Sequence, residues 1–161
     1  MARSNSKSFI IVFSILIALI LILIMIIYYT PPNYFQTTNN EFLVTEVVDG
    51  DTFVIGTGEY VRLIGVDAPE KEHVFYNKSK DFLAFLILNR TIMLETDKDN
   101  KDKYGRLLRY AYLGNLSVNI ELVNQGYAIP LFISPNFKHK QEIEQAREEC
   151  LDKKMNLCAS A

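Results

Sequence analysis

The sequence predicts an α+β protein, a small five-stranded barrel with about three helices, behind a single N-terminal transmembrane helix. Three observations carry this. Phe9 to Tyr29 is an apolar run of 21 residues, broken only by Ser14 and the two closing tyrosines. Beyond residue 40, five short runs rich in Val, Ile, Thr and Tyr are bounded by Gly, Pro and Asp, the pattern of strands between tight turns. Three further stretches place apolar residues at helical spacing.

The apolar run comes first. At 1.5 Å per residue it spans roughly 31 Å as a helix, close to the thickness of a bilayer's hydrocarbon core. A signal peptide has a shorter apolar stretch and a small-residue cleavage site. Here the run meets Tyr28-Tyr29-Thr30-Pro31-Pro32 instead. Arg3 and Lys7 precede it, and the next base is Arg62. The positive-inside rule then places the N-terminus in the cytoplasm and the following domain outside. The expected division is a cytoplasmic tail over 1–8, a signal anchor over 9–29, an uncharged linker over 30–40 and a folded domain over 41–161. A single-pass protein of the cell membrane follows; the alternative is a form secreted after cleavage.

The domain's elements follow in order. Phe42 to Val48 and Thr52 to Ile55 are strands joined by Asp49-Gly50-Asp51. Tyr60 to Val66 is a third strand, stopped at Asp67-Ala68-Pro69-Glu70 because Pro cannot donate to a ladder. Phe82, Leu83, Phe85 and Leu86 mark a helix over Asp81–Asn89. Thr91 to Thr96 and Leu107 to Leu113 are strands on either side of a charged loop. Ser117 to Gln125 is a short helix ended by Gly126. Ser134-Pro135 opens a last helix as cap and first residue. Ile143, Ala146, Cys150 and Leu151 form its apolar stripe. Five strands are the count of an OB-fold barrel.

The whole chain carries a net charge of −2. Without its two N-terminal bases the rest stands at −4, which argues against a protein that coats DNA by bulk positive charge. Seven Gly, five Pro and two Cys exclude collagen-like, low-complexity and disulfide-dense classes. Cys150 and Cys158 could form a disulfide in an oxidising compartment; the other reading is two separate apolar thiols. Asn77, Asn89 and Asn115 begin N-x-[ST] sequons, only a mild excess over chance, so glycosylation stays open. His73 and His139 read as loop and helix surface. Asp97-x-Asp99 opens like a calcium loop, but Asp102 and Leu108 stand where that loop needs Gly and Glu.

Three segments concentrate charge and rigid turns: Asp49-Gly50-Asp51-Thr52, Arg62 to Glu70, and Asp102-Lys103-Tyr104-Gly105-Arg106. Asp51 and Asp67 lie at strand ends. If those strands are neighbours, the two carboxylates meet over one hard cation, and Ca²⁺ prefers such oxygen ligands. Arg62 is five residues before Asp67, an odd offset that on a regular strand points the two to opposite faces. A bend near Gly65 could bring them together. Two arginine forks, two metal-binding carboxylates and a spare Glu70 are the parts a phosphodiester hydrolase needs.

In combination and order these segments resemble the staphylococcal nuclease (thermonuclease) family. Val47 to Thr52 is similar to its first signature. Arg62 to Glu70 matches its Arg-x3-VD-x-PE pattern, and Asp102 to Arg106 its DKYGR. Asn119-x-x-Leu122-Val123-x-x-Gly126-Tyr127-Ala128 is similar to the following helix and turn. The resemblance implies an OB-fold barrel and Ca²⁺-dependent hydrolysis of DNA and RNA, cutting the P–O5′ bond to leave 3′-phosphate ends. It implies that Asp51, Asp67 and the main-chain carbonyl of Ala68 hold Ca²⁺, that Glu70 is the general base, and that Arg62 and Arg106 grip the scissile phosphate. It further implies that Asp49 is a carboxylate beside the ion's ligands, that Lys103 and Tyr104 contact a neighbouring phosphate, and that Leu108 lines the base pocket.

Two departures stand out. The family's tyrosines before the last helix are replaced by Ile129-Pro130-Leu131-Phe132-Ile133-Ser134. Phe132 could still stack a base, worth roughly 1–3 kcal/mol. The acidity predicts weak non-specific binding and a steeper need for Ca²⁺ or low salt. The expected substrate is flexible or single-stranded nucleic acid, and nothing calls for an obligate protein partner. The alternatives are a catalytically silent module that binds nucleic acid or protein, and a hydrolase of some other phosphate diester.

Overall fold

The structure is a computed structural model describing residues 5–29 and 40–159. It divides into two compact units, Met1–Thr38 and Asn39–Ala161. The first unit contains helix α1 (Asn5–Tyr29), 25 residues long. Its described apolar side chains, unbroken from Ile10 to Ile22, are solvent-exposed. Among the described residues no helix is long and apolar enough to cross a membrane. The expected linker over 30–40 lies outside the described residues, apart from Asn40.

The second unit is α+β and is built on a closed barrel. Strands β1 (Glu41–Val47), β2 (Thr52–Ile55) and β3 (Tyr60–Leu63) form an antiparallel meander. After β4 (Val66–Asp67) and helix α2 (Tyr76–Ile87), β5 (Thr91–Glu95) pairs with β1 on one side and with β6 (Leu107–Leu113) on the other. The barrel closes where β6 runs parallel to β3, Arg62 opposite Leu108. Five strands in the ring β1-β2-β3-β6-β5 make an OB-fold. A short β7 (Leu116–Ser117) extends β6 as a hairpin, and β4 pairs with β8 (Ile129–Pro130). Helix α3 (Val118–Asn124) and helix α4 (Lys140–Lys153) complete the unit.

Burial explains the closure. All four residues of β2 are buried, and Phe53, Ile55, Val61, Leu63, Ile92 and Tyr110 fill the barrel. Leu83 and Ile87 of α2, Leu122 of α3 and Ile143 of α4 seal it from outside the strands. The fully buried Asn119 is the polar clamp. Its Oδ1 accepts from the Ala111 amide at 2.9 Å, and its Nδ2 donates to the Ile64 carbonyl at 2.8 Å. It thus ties α3 to β6 and to the bend after β3, and no buried side-chain nitrogen or oxygen is left unmatched among the described residues.

Four expectations need correction. The third strand does not run to Val66. It breaks at Gly65, whose φ of +79° no β-strand adopts, and resumes as β4. Helix α2 starts five residues before Asp81, because Tyr76 to Lys80 already turn helically. The last helix does not open at Ser134-Pro135, which is a cis bond in a loop; α4 begins at Lys140. His139 is not a plain surface residue. Its Nε2 lies 2.9 Å from Glu95 and 3.1 Å from the Tyr112 hydroxyl, tying the start of α4 to β5 and β6. Cys150 and Cys158 are joined, Cα–Cα 5.9 Å, which holds the chain end to α4.

Candidate active site

Two glycines shape the site. Between β1 and β2 the chain turns at Asp49-Gly50-Asp51. A Cβ on Gly50 would sit 2.6 Å from the Ala68 Cβ and 2.7 Å from that of Ser79. Only glycine lets this turn press against the segment after β4. The second is Gly65. Its positive φ reverses the alternation of β3, so Arg62 and Asp67 come to one side despite their odd spacing. Nη2 of Arg62 lies 2.9 Å from Asp67 Oδ1 and 3.0 Å from Asp51 Oδ2. The two expected metal carboxylates therefore converge on one nitrogen. Nη1 of the same fork donates to the Leu63 and Val66 carbonyls at 2.9 and 2.8 Å, locking the side chain over the bend.

Asp51 is buried and fully engaged. Oδ2 also accepts the Ala68 amide at 2.8 Å, and Oδ1 accepts the Thr52 hydroxyl at 3.0 Å. Burial pushes its carboxyl up to about 7, against the pull of Arg62 and of these two hydrogen bonds. Asp49 adds negative charge beside it and caps the turn, its Oδ1 accepting the Asp51 amide at 3.0 Å. Asp67 is more open, its side chain 41% exposed.

The second arginine stands at the end of the loop between β5 and β6. Arg106 Nε donates to Asp102 Oδ2 at 2.7 Å, and Nη1 reaches the Thr52 hydroxyl at 3.4 Å. Burial works to raise the Asp102 carboxyl, but hydrogen bonds from Arg106 and Tyr104 hold it below the usual range. Thr52 thus lies between Arg106 and Asp51. A groove of about 470 Å³ opens beside both arginines, lined also by Lys103, Tyr104, Leu108, Leu131 and Ile133.

The other expected site residues distribute as follows. Lys103 and Tyr104 are exposed at the rim, with the Lys103 ammonium 5.0 Å from the Tyr104 ring centre. Leu108 is half-buried in the groove. Phe132 does not line it; the ring is half-buried against the core, 3.3 Å from where a Cβ on Gly65 would lie. Glu70 is exposed, its backbone carbonyl accepting the His73 amide at 2.9 Å, and no side-chain hydrogen bond or ion pair of it is seen among the described residues. Asp102 and Thr52 were named in the motifs without a role. The signal for Asp102 was its place four residues before Arg106 in a segment too rich in Gly and charge to be helix.

The oxygens fit a hard cation. Two carboxylates already share one positive point, and the buried Asp51 is pushed toward protonation, so added positive charge there would relieve it. No group of three or more Asp, Glu, His or Cys assembles among the described residues. A cation held here would complete its shell from backbone carbonyls and water.

Comparison with known proteins agrees with the geometry. The family model described as staphylococcal nuclease homologue matches residues 60–160. A thermonuclease of Staphylococcus intermedius is 39% identical over 125 residues, covering 72% of this chain and 74% of that protein. A thermonuclease of Staphylococcus hyicus is 35% identical over the same length. An uncharacterized endonuclease of Haemophilus influenzae is 33% identical over 124 residues, 74% of this chain and 67% of that one. With an OB-fold barrel that brings Asp51, Arg62 and Asp67 together and sets Arg106 beside them, the chain belongs to the staphylococcal nuclease homologue family.

Proposed function

We propose that this protein is a Ca²⁺-dependent nuclease that hydrolyses DNA and RNA to leave 3′-phosphate ends, held in the membrane with its catalytic domain outside. The observation that carries the reading is the pairing of two guanidinium groups on either side of Thr52 beside one groove, one of them between two carboxylates.

Asp51, Asp67 and the Ala68 carbonyl would hold the cation. When bound, Ca²⁺ would stabilise charge developing at phosphorus and orient water. Arg62, beside these carboxylates, is placed to grip a non-bridging phosphate oxygen. Arg106, with Nε on Asp102 and Nη1 toward Thr52, presents Nη2 to the same phosphate. Glu70, uncommitted and exposed, takes the proton of the attacking water. The water oxygen bonds to phosphorus, the P–O5′ bond breaks with its electron pair on the 5′ oxygen, and that oxygen takes a proton from solvent water to leave as a hydroxyl. Lys103 and Tyr104 hold the next phosphate at the rim, and Leu108 meets the base in the groove. Single-stranded or flexible nucleic acid suits a site whose groove takes an unpaired base.

The anchor reading is supported by the helical Asn5–Tyr29 and by Arg3 and Lys7, which precede its apolar run from Phe9. In intact cells, external protease should remove the domain and leave the N-terminal segment. A domain protected until lysis overturns the orientation, and a domain free in the medium supports secretion after cleavage.

The enzyme test uses the full chain and an end-labelled single-stranded DNA, in Ca²⁺ and in chelator, beside Glu70→Gln. Cleavage with Ca²⁺ only, 3′-phosphate products and a variant slowed by at least about 100-fold are expected. A folded protein that cuts nothing in any divalent cation overturns the reading in favour of a silent binding module.

A further inference from the structure

We infer that Asp102 is a positioning residue for Arg106, and that Thr52 holds the same guanidinium from its other side. The inference rests on the nuclease reading and adds the residues that aim one of its arginines.

Asp102 commits both carboxylate oxygens to one short loop. Oδ1 accepts the amides of Tyr104 at 2.9 Å and Arg106 at 3.0 Å. Oδ2 accepts Arg106 Nε at 2.7 Å. Its backbone closes the same loop: the Asp102 amide donates to the Arg106 carbonyl at 3.0 Å, and the Gly105 amide to the Asp102 carbonyl at 3.1 Å. One carboxylate therefore sets both the backbone that carries Arg106 and the direction of its head.

The ion pair is not an ordinary surface pair. The two residues are four apart, but they lie in a loop, so helical neighbourhood does not account for the contact. The Asp102 and Arg106 side chains are only 16% and 30% exposed. Exposed pairs are washed out by solvent; partly buried ones with good geometry hold a direction.

The division of the guanidinium is what matters for function. A guanidinium carries five N–H donors in a rigid plane. Asp102 takes Nε. Thr52, whose hydroxyl proton is committed to Asp51 Oδ1 at 3.0 Å, offers a lone pair to Nη1 at 3.4 Å. Thr52 is 2% exposed on β2, so this second contact is fixed to the barrel. Nη2 is left for an oxygen that arrives with the substrate. Without Asp102 the fork could rotate about its long stem and lose the in-plane approach that a bidentate grip requires.

The test is a double-mutant cycle on the full chain, following single-stranded DNA hydrolysis in Ca²⁺. Asp102→Asn keeps an oxygen for the backbone amides and removes the charge at Nε. The expected result is a kcat lower by about tenfold to a hundredfold, the scale of a slightly misplaced group. KM should stay within about twofold, the mark of an interaction made mainly in the transition state. In an Arg106→Ala background the same change should cost less than about twofold, because there is no fork left to aim. Equal penalties in both backgrounds overturn the inference, as does an unchanged kcat. If Asp102→Asn does not fold, Thr52 decides: Thr52→Ser should retain activity and Thr52→Val should lose it, and no difference between them overturns the proposal. A folded wild type without cleavage in any divalent cation is a separate outcome. It overturns the nuclease reading and removes this inference with it.

Discussion

The site's two arginines are held in opposite ways. Arg62 belongs to the barrel. Its side chain is 15% exposed, its Nη1 is locked to two backbone carbonyls, and its Nη2 sits between two carboxylates. Arg106 ends a charged loop, twice as exposed, and depends on one carboxylate of that loop and one hydroxyl of β2. The first is built by tertiary packing and the second largely by local chain geometry. Burial strengthens the electrostatic effect of Arg62, and the greater exposure of Arg106 leaves its head a wider approach.

The contrast is broken most severely at Arg62. Arg62→Ala should lower kcat by about 1,000-fold, on the scale of a lost electrostatic stabiliser. It should also destabilise the fold by about 3 kcal/mol, because it strands the buried Asp51 carboxylate. Urea unfolding and single-turnover rates measure the two effects separately. Arg106→Ala should lose rate on a similar scale with little change in stability, and equal destabilisation by both would erase the distinction.

Gly65→Ala attacks the bend that makes the Arg62 half possible. The new Cβ would lie 2.7 Å from Ile143 Cδ1 at a φ of +79°. The methyl can yield, but the backbone conformation stays strained. A loss of about 1–3 kcal/mol is expected in the urea midpoint, with a fall in activity larger than that of a surface Gly58→Ala control. Unchanged activity in a destabilised variant would falsify the link between this bend and Asp67.

A pH experiment sharpens the loop side. Burial tends to raise the Glu95 carboxyl, but hydrogen bonds from Lys138, His139 and Tyr112 bring it down to about 2 from a usual 4.5. A folded-state value below the unfolded one means stability that is present above about 4.5 and lost as pH falls toward 2. The advantage of wild type over Glu95→Gln in urea melts should therefore shrink through that window. Lys138 and His139 close the loop that begins with Leu131 and Ile133 of the groove wall.

The smallest effect is expected at the rim. Lys103→Ala should raise KM about twofold, with kcat unchanged and a shallower salt dependence, as for one exposed phosphate contact. The acidic domain makes the wild-type salt dependence itself a useful check: KM should climb steeply between low and physiological salt.

Much of the molecule was legible in the chain. The strand over Thr52–Ile55, the strand over Leu107–Leu113 and the helix before Gly126 follow from local apolar pattern and turn residues. The site residues are legible through the resemblance of three ordered motifs, each of which alone reads as a plain turn or charged loop; the fold brings Asp51, Arg62 and Asp67 of that set together and sets Arg106 near them through Thr52. The break in the third strand was only half legible. Gly65 suggested a bend, but its sign and size depend on Ile143 and Phe132 packed against it. The misplaced start of α4 has a similar cause. Ser-Pro is a good local helix start, yet here Asn136 is buried, its side chain accepting the Asp99 amide at 2.9 Å, so the loop is held to another loop first.

Residue types, their order, the turns and the apolar periods are local properties, and local chemistry determined them. That Asp51 shares Arg62, that Thr52 touches Arg106, that His139 is drawn to Glu95, and that Phe132 packs beside Gly65 are contacts between segments separated in sequence. They exist only once β6 closes on β3 and Asn119 clamps α3 to the bend, because burial and barrel closure, not neighbouring residues, set those distances.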